Sequence, residues 1–255
     1  MLFQAHRGVQ NEFPENTMPA FIAAKKQGYH IIECDPRCTK DGVWVMHHDS
    51  KVGRTCRTAD GLPLSEPVPL SEIDYKELAV LDAGLWKGEE FRGTHVPTLK
   101  ETLSFSMEEN IPLKLDNVFA IHNKEQKENL YNEVISSKAP VGFTCADIET
   151  IRDVLSYIPD AEIHYDGPVS QENIKAIKDA AGNNPLTVWL PLECSETSWC
   201  QKPKASEALC HLVKSYARLG LWILSTNEEL AKACEFGADI IETTGSLKPL
   251  RNQFY

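Results

Sequence analysis

PVGFTCADIETIRDVLSYIPDAEIHYD, residues 140–166, decides the fold. It opens on a short β-rich run, PVGFTC (140–145), bounded by proline and by a polar break. The next segment repeats Ile148, Ile151, Val154, Leu155 and Ile158 at spacings of three and four, which is one face of an α-helix. Asp147 stands where that helix needs an N-cap acceptor. AEIHYD (161–166) then returns to a strand. A strand, a helix and a strand joined by short connections make a βαβ unit, whose two strands lie parallel.

The unit recurs in both directions along the chain. Further strands are predicted at LFQAH (2–6), HIIECD (30–35), PLKLDN (112–117), LTVWLP (186–191), LWILST (221–226) and DIIET (239–243). Between them lie amphipathic stretches such as TMPAFIAAKKQG (17–28), with Phe21, Ala24 and Gly28 near one face. Ser170 and Asn227 precede two of these stretches as expected N-caps, and Gly28, Gly220 and Gly237 stand where helices should end. Eight βα repeats predict an α/β fold that closes as a (β/α)8 TIM-type barrel, and 255 residues suit one such domain spanning 1–255. A doubly wound sheet is the other architecture for such repeats, but no glycine-rich phosphate loop follows the first strand.

One segment breaks the rhythm. PRCTKDGVWVMHHD (36–49) contains the tight-turn pair Asp41-Gly42 and follows HIIECD too closely for a parallel crossover, so it reads as a hairpin arm above the barrel rim. Residues from about 50 to 97 form an excursion rich in proline, glycine and charge, with a short helix expected near SEIDYKELAVL. An insertion of that length is read as a lid or small accessory element.

Composition narrows the function classes. Hydrophobic residues make up 42% and charged residues 25%, ordinary for a globular chain, while a net charge of −11 excludes a surface built to track nucleic acid or anionic lipid. A secretory leader is not evident before the first strand, and no apolar run approaches the roughly 18 residues of a membrane span, so the expectation is a soluble, cytoplasmic protein with no stable membrane anchor. Eight cysteines in such a chain are expected to be reduced structural thiols. Neither Cys34 with Cys38 nor Cys194 with Cys200 has the companion pair of a zinc site.

Barrel enzymes carry their chemistry at the C-terminal ends of the strands, so the residues there are the candidates. The first strand ends in His6-Arg7-Gly8, the second in Glu33-Cys34-Asp35, the hairpin arm in His47-His48-Asp49, and the third strand carries Lys114 and Asp116. Strand alternation puts Glu33 with Asp35 on one face, and Lys114 with Asp116 likewise. Paired carboxylates at a barrel mouth call for a bridging cation, and oxygen donors favour Mg²⁺ or Ca²⁺ over Zn²⁺. An arginine beside such a pair, with two histidines from separate segments, suits phosphoryl chemistry by acid/base catalysis. His6 is one of the histidines; the residues leave His47 and His48 as alternatives for the other, with His48 preferred.

HRG (6–8), PENTMPAF (14–21), IECD (32–35), the T-x-DG-x-x-V pattern at 39–45 and HD (48–49) together resemble the N-terminal signature of the glycerophosphodiester phosphodiesterase family. LDAGLWKGEEFRGTHVPTLKETL (81–103), GLWILSTN (220–227) and GADIIETT (237–244) are similar to its insertion, a late segment and its last strand. The resemblance implies hydrolysis of a small-molecule glycerophosphodiester to glycerol phosphate and an alcohol, through a cyclic phosphate. It implies His6 and His48 as acid/base pair, Arg7 as phosphate ligand, Glu33 and Asp35 as metal ligands, and Trp222 as a wall of the substrate pocket. Within PENT, Asn16 or Thr17 is expected to cap the first helix and Glu15 to brace the loop bearing Arg7. Where the family carries Glu-x-Lys on the third strand, this chain has Lys114-Leu115-Asp116. The expectation is that Asp116 replaces the glutamate as third metal ligand while Lys114, deeper in the barrel, is held charged by Asp116 and Glu33 and presents its ammonium to phosphate. A phospholipase- or lyase-type barrel phosphodiesterase, and a non-catalytic barrel that only binds phosphodiesters, are the alternative readings.

Overall fold

The structure is a computed structural model that describes residues 1–193 and 203–249, with the side chains of Asn117 and Val118 excepted. Eight strands close into a parallel barrel: β1 (Leu2–Ala5), β2 (Ile31–Cys34), β7 (Leu113–Leu115), β8 (Val141–Cys145), β9 (Glu162–Tyr165), β10 (Leu186–Pro191), β11 (Arg218–Leu224) and β12 (Ile240–Thr243), in that order around the ring. The ring closes where β12 pairs with β1, Leu2 beside Ile240 through Ala5 beside Thr243. Every strand predicted from the sequence is one of these eight. The outer helices are α1 (Met18–Lys26), α3 (Leu99–Glu109), α4 (Lys124–Ser137), α5 (Ile148–Tyr157), α6 (Ile174–Ala181), α7 (Glu207–Lys214) and α8 (Asn227–Glu235). Among the described residues no helix is long and apolar enough to cross a membrane.

Alternation along each strand divides the core in two. Ile32, Cys34, Leu113, Leu115, Phe143 and Ile163 join the helices in the main apolar cluster. Ile31, Trp189 and Ile240 form a second cluster, against which Trp222 packs. The lumen also holds polar groups that need partners, because an unsatisfied buried donor costs about 1–3 kcal/mol. Trp189 Nε1–H donates to His164 Nδ1 at 3.1 Å, and Gln4 donates to the Glu242 carboxylate.

Local chemistry explains most element ends. Asp147 accepts from the Thr150 N–H at 2.7 Å and caps α5 as expected. For α8 the cap is Thr226, one residue before the expected Asn227, because Thr226 and Glu229 make a reciprocal capping box. Asn173 rather than Ser170 directly precedes α6; Ser170 lies one turn earlier and accepts from the Glu172 N–H. Gly28 and Gly237 do follow helices, with φ of 87° and 68°. Gly220 does not: it lies inside β11, where an added Cβ would come within 2.5 Å of the Trp189 ring. Its glycine is required by a side chain from the neighbouring strand, not by a helix end.

The hairpin forms as read, with β3 (Pro36–Cys38) antiparallel to β4 (Trp44–Met46) across the Asp41-Gly42 turn. The insertion beyond it is ordered around its own apolar cluster of Val45, Val52, Cys56, Leu70, Ile73, Leu78, Ala83 and Val96. It contains a two-stranded ribbon, β5 (Lys51–Val52) with β6 (Val68–Pro69), and the short α2 (Tyr75–Leu78). Asp82 holds its second half together by accepting the backbone N–H groups of Gly84, Leu85 and Gly93 at 2.8, 2.8 and 2.6 Å. Cys34, Cys38, Cys56, Cys145 and Cys210 are buried free thiols and Cys234 an exposed one, whereas Cys194 and Cys200 lie outside the described residues.

Candidate active site

A cleft of about 540 Å³ opens at the C-terminal rim of the barrel. His6, Arg7, Glu33, His48, Lys114, Asp116 and Trp222 all line it, together with Asp166, Ile223 and Glu242. A larger groove, about 610 Å³, lies between α3 and α4 and is lined by residues such as Lys100, Asn129 and Glu133. It carries none of the convergent ionisable groups, and chemistry rather than size selects the rim cleft.

The loop after β1 builds the first side. Arg7 and Gly8 both adopt positive φ, 53° and 76°, which turns the chain sharply off the strand. A side chain at Gly8 would collide with Ala20 of α1 at 2.7 Å, so only glycine fits this turn. The turn aims the Arg7 N–H at Glu33 Oε2, 2.8 Å away, while the Arg7 guanidinium bonds Glu15 Oε1 at 3.0 Å and lies 3.4 Å from Asp35 Oδ2. Glu15 therefore does brace the arginine. Asn16 and Thr17 do not cap α1: the Thr17 hydroxyl donates to the Pro14 carbonyl at 2.6 Å. The Asn16 amide instead donates to Asp35 Oδ2 at 2.6 Å and accepts from the Asp35 N–H at 3.2 Å. A side chain that sequence reasoning assigned to a helix end thus orients a candidate ligand, because Pro19 at the start of α1 removes one of the N–H groups a cap would serve.

Glu33, Asp35 and Asp116 form the acidic centre, one oxygen from each lying within 4.8 Å of the others. Glu33 and Asp35 are almost wholly buried. Burial and the carboxylates of Asp35, Glu242 and Asp116 push the Glu33 carboxyl well up; burial also raises Asp35, against the pull of Arg7. Carboxylates gathered this closely repel one another unless a cation lies between them, and their hard oxygens fit a divalent ion of the Mg²⁺ or Ca²⁺ kind.

Lys114 points into the lumen as expected, but its ion-pair partner is one the sequence did not suggest. Its Nζ lies 3.3 Å from Glu242 Oε2 of β12 and 4.4 Å from the centre of the Trp189 ring. Burial alone would lower its pKa; Glu242 first, then Asp116 and Glu33, more than reverse that and hold the ammonium charged. Trp222 donates its indole N–H to Asp166 Oδ1 at 3.0 Å. Glu242 and Asp166 were both missed in the sequence. Asp166 ends a barrel strand as Asp35 does and could have been found by that rule; Glu242 showed only as an acid inside the apolar run DIIET.

The structure separates the adjacent histidines. His48 lines the cleft, with Nδ1 2.8 Å from Asp49 Oδ1 and its carbonyl accepting from Arg37 Nε at 2.7 Å. His47 is buried away from it, with Nδ1 2.8 Å from the Asp49 carbonyl and Nε2 3.4 Å from the Thr55 hydroxyl. His6 Nδ1 sits 2.6 Å from the Gln10 side-chain amide and Nε2 lies 3.9 Å from Glu33. Burial, then the charges of Arg7 and Lys114, push the His6 pKa well down, favouring a neutral imidazole.

Residues 6–164 match the model of the glycerophosphoryl diester phosphodiesterase family. A glycerophosphodiester phosphodiesterase of Caldanaerobacter subterraneus is 40% identical over 97 residues, which is 38% of this chain and 37% of that protein. Matches to the first curated relatives span less than half of those relatives' length. Solved structures reach further at lower identity. A Parabacteroides distasonis glycerophosphoryl diester phosphodiesterase has a TM-score of 0.71 at 22% identity, covering 99% of this chain and 88% of that one. An Oleispira antarctica phosphodiesterase in complex with the product sn-glycerol-3-phosphate has a TM-score of 0.69 at 20% identity, covering 96% and 94%. These structural likenesses speak for the fold; the family model, whose match takes in the acidic centre and both histidines of the cleft, shows that the chain belongs to the glycerophosphoryl diester phosphodiesterase family.

Proposed function

We propose that this chain hydrolyses glycerophosphodiesters to glycerol phosphate and an alcohol, using His6 and His48 as acid/base pair with a divalent ion, Mg²⁺ or Ca²⁺, at Glu33, Asp35 and Asp116. One observation carries the reading: three carboxylates gather within 4.8 Å, and two of them, Glu33 and Asp116, line a single cleft with two imidazoles, an arginine and a buried lysine. The family membership and the product bound by the Oleispira neighbour support a glycerol phosphate product here.

The ion would supply Lewis-acid neutralisation of a phosphoryl oxygen. Arg7 and Lys114 add fixed positive charge beside it, Arg7 from the rim and Lys114 from below. His6, kept neutral by burial, takes the proton of a glycerol hydroxyl as its oxygen attacks phosphorus. The Gln10 side-chain amide engages the ring at Nδ1, so Nε2, 3.9 Å from Glu33, is the ring nitrogen on the side of the acidic centre. His48 gives a proton to the departing alcohol oxygen as the old P–O bond breaks. With the roles reversed, His48 takes a proton from water, the water oxygen opens the cyclic phosphate, and His6 returns the proton to the released hydroxyl. The Trp222 ring forms the wall against which the glycerol carbons pack.

Incubation of the full chain with glycerophosphocholine and Mg²⁺ or Ca²⁺, followed by phosphorus NMR, tests the reading. Glycerol phosphate is the expected final product. A cyclic phosphate that accumulates unopened would instead identify a lyase-type phosphodiesterase. No turnover of any glycerophosphodiester with either ion would leave a binding protein.

A further inference from the structure

Beside the cleft, one side chain of the insertion bonds two carboxylates of the catalytic rim. Arg54 donates from Nε to Asp49 Oδ2 at 2.8 Å and from NH2 to Asp49 Oδ1 at 3.1 Å. Its other edge donates from NH1 to Glu15 Oε2 at 2.9 Å and from NH2 to Glu15 Oε1 at 2.7 Å. The same Glu15 carboxylate holds Arg7, and Asp49 holds His48. An unbroken chain of alternating charge therefore runs from His48 through Asp49, Arg54 and Glu15 to Arg7. We propose that Asp49 and Arg54 are positioning residues that set the tautomer and aim of His48 and couple it to Arg7, so that part of the catalytic apparatus resides in the insertion. The proposal rests on the acid/base role given to His48 above.

An ionised carboxylate can only accept, so the 2.8 Å contact with Asp49 places the imidazole proton on Nδ1 and leaves Nε2 to exchange protons in the cleft. Burial raises the Asp49 carboxyl, but its hydrogen bonds from Arg54 and His48 outweigh that and hold it below the usual carboxylate range. Neighbouring residues in a chain seldom face one another, and Asp49 does so here because two N–H groups of one guanidinium fix both its oxygens. A lysine in place of Arg54 could not make two forks at once. Arg54 is itself anchored, since it stands two residues before Cys56, which is fully buried in the insertion's own core. An exposed salt bridge has little energetic value, and the Arg54 side chain is 46% accessible, so what the pair contributes is direction rather than stability.

The test reads direction. Long-range proton–nitrogen NMR of the ¹⁵N-labelled full chain reports the tautomer of His48, its signals assigned by their loss in His48→Ala. The neutral wild-type ring is expected as the Nδ1–H form. Asp49→Ala and Arg54→Ala should shift it toward the Nε2–H form that imidazole prefers in water, and Arg54→Lys should fail to restore it. In turnover, Asp49→Ala and Arg54→Ala should each lower kcat by about 10- to 10²-fold, a share of the effect of a general acid or base, with KM changed less than about threefold. The double variant should fall little below the worse single one, as expected for members of one chain. A wild-type ring in the Nε2–H form would overturn the proposal. So would a tautomer and kcat unmoved by Asp49→Ala, since Arg54 would then be only a clamp between insertion and barrel. If the wild-type chain turns over no phosphodiester, the reading of function fails separately, and the tautomer measurement still decides this one.

Discussion

Glu242→Leu is expected to destabilise the barrel by about 3 kcal/mol. Lys114 Nζ lies 3.3 Å from Glu242 Oε2, and both residues are 4% exposed, so the ammonium cannot turn to water when its partner is lost. At an effective dielectric of about 20, the pair attraction at that separation is roughly 5 kcal/mol. Part of that loss is returned, because Glu242 also repels Glu33, and Asp116 and Glu33 still face the lysine. Gln4, which donates to the same carboxylate, loses its acceptor as well. The double variant Lys114→Met/Glu242→Leu removes both charges, and should recover most of the loss or exceed the wild type, as buried pairs replaced by apolar residues commonly do. Urea unfolding in EDTA, which keeps metal linkage out of the comparison, measures Glu242→Leu, Lys114→Met and the double variant against the wild type. At about 2–4 °C per kcal/mol for a chain of this size, the single variant should melt roughly 6–12 °C lower. A loss under 1 kcal/mol for Glu242→Leu, or a double variant as unstable as the sum of the singles, would refute the view of this pair as a mutually compensating buried charge couple.

Three further outcomes follow from the geometry. Asp116→Asn and Glu33→Gln should each weaken Mg²⁺ or Ca²⁺ binding by about tenfold or more in calorimetric titration, and Asn16→Ala, which frees Asp35, by about 10- to 100-fold; unchanged affinity in Asp116→Asn would remove it from the ligand set. His6→Ala and His48→Ala should each cost roughly 10²- to 10⁴-fold in kcat, whereas His47→Ala, lost from a buried contact outside the cleft, should show in melting temperature with kcat retained. Burial raises the Glu15 carboxyl, but Arg54 and Arg7 overcome this and hold it at about 2 against an ordinary 4.5. Because that pKa is lowered on folding, the associated stability, up to about 3 kcal/mol, is fully present above pH 4.5 and is lost as pH falls toward 2; Glu15→Gln should be less stable than the wild type at pH 7, with the gap closing by pH 2.

Sequence and structure part company at identifiable places. The hairpin was legible because Asp41-Gly42 is a local turn signal that nothing distant overrides. Gly220 was misread as a helix end because the ring that demands a glycine there belongs to Trp189, 31 residues earlier in sequence and adjacent only once β10 pairs with β11. Asn16 has the side chain of a helix cap and the position of one; only the approach of β2 to the loop after β1 shows that it serves Asp35. Asp49 was visible in the pair HD, but its hold on His48 depends on Arg54, which no spacing rule links to either.

What the chain determines on its own is therefore periodic and local: the alternation of apolar residues at two and at three to four, the turn at Asp41-Gly42, and the rule that ionisable residues at strand ends gather at one mouth. Those features depend on neighbours a few residues apart, so they survive translation into one dimension. Tertiary structure alone decided which carboxylate holds Lys114 and how the insertion reaches Asp49 beside His48. Each of these joins side chains far apart in sequence, such as Lys114 with Glu242 or Arg54 with Glu15, and low-dielectric burial makes the partner as decisive as the residue itself.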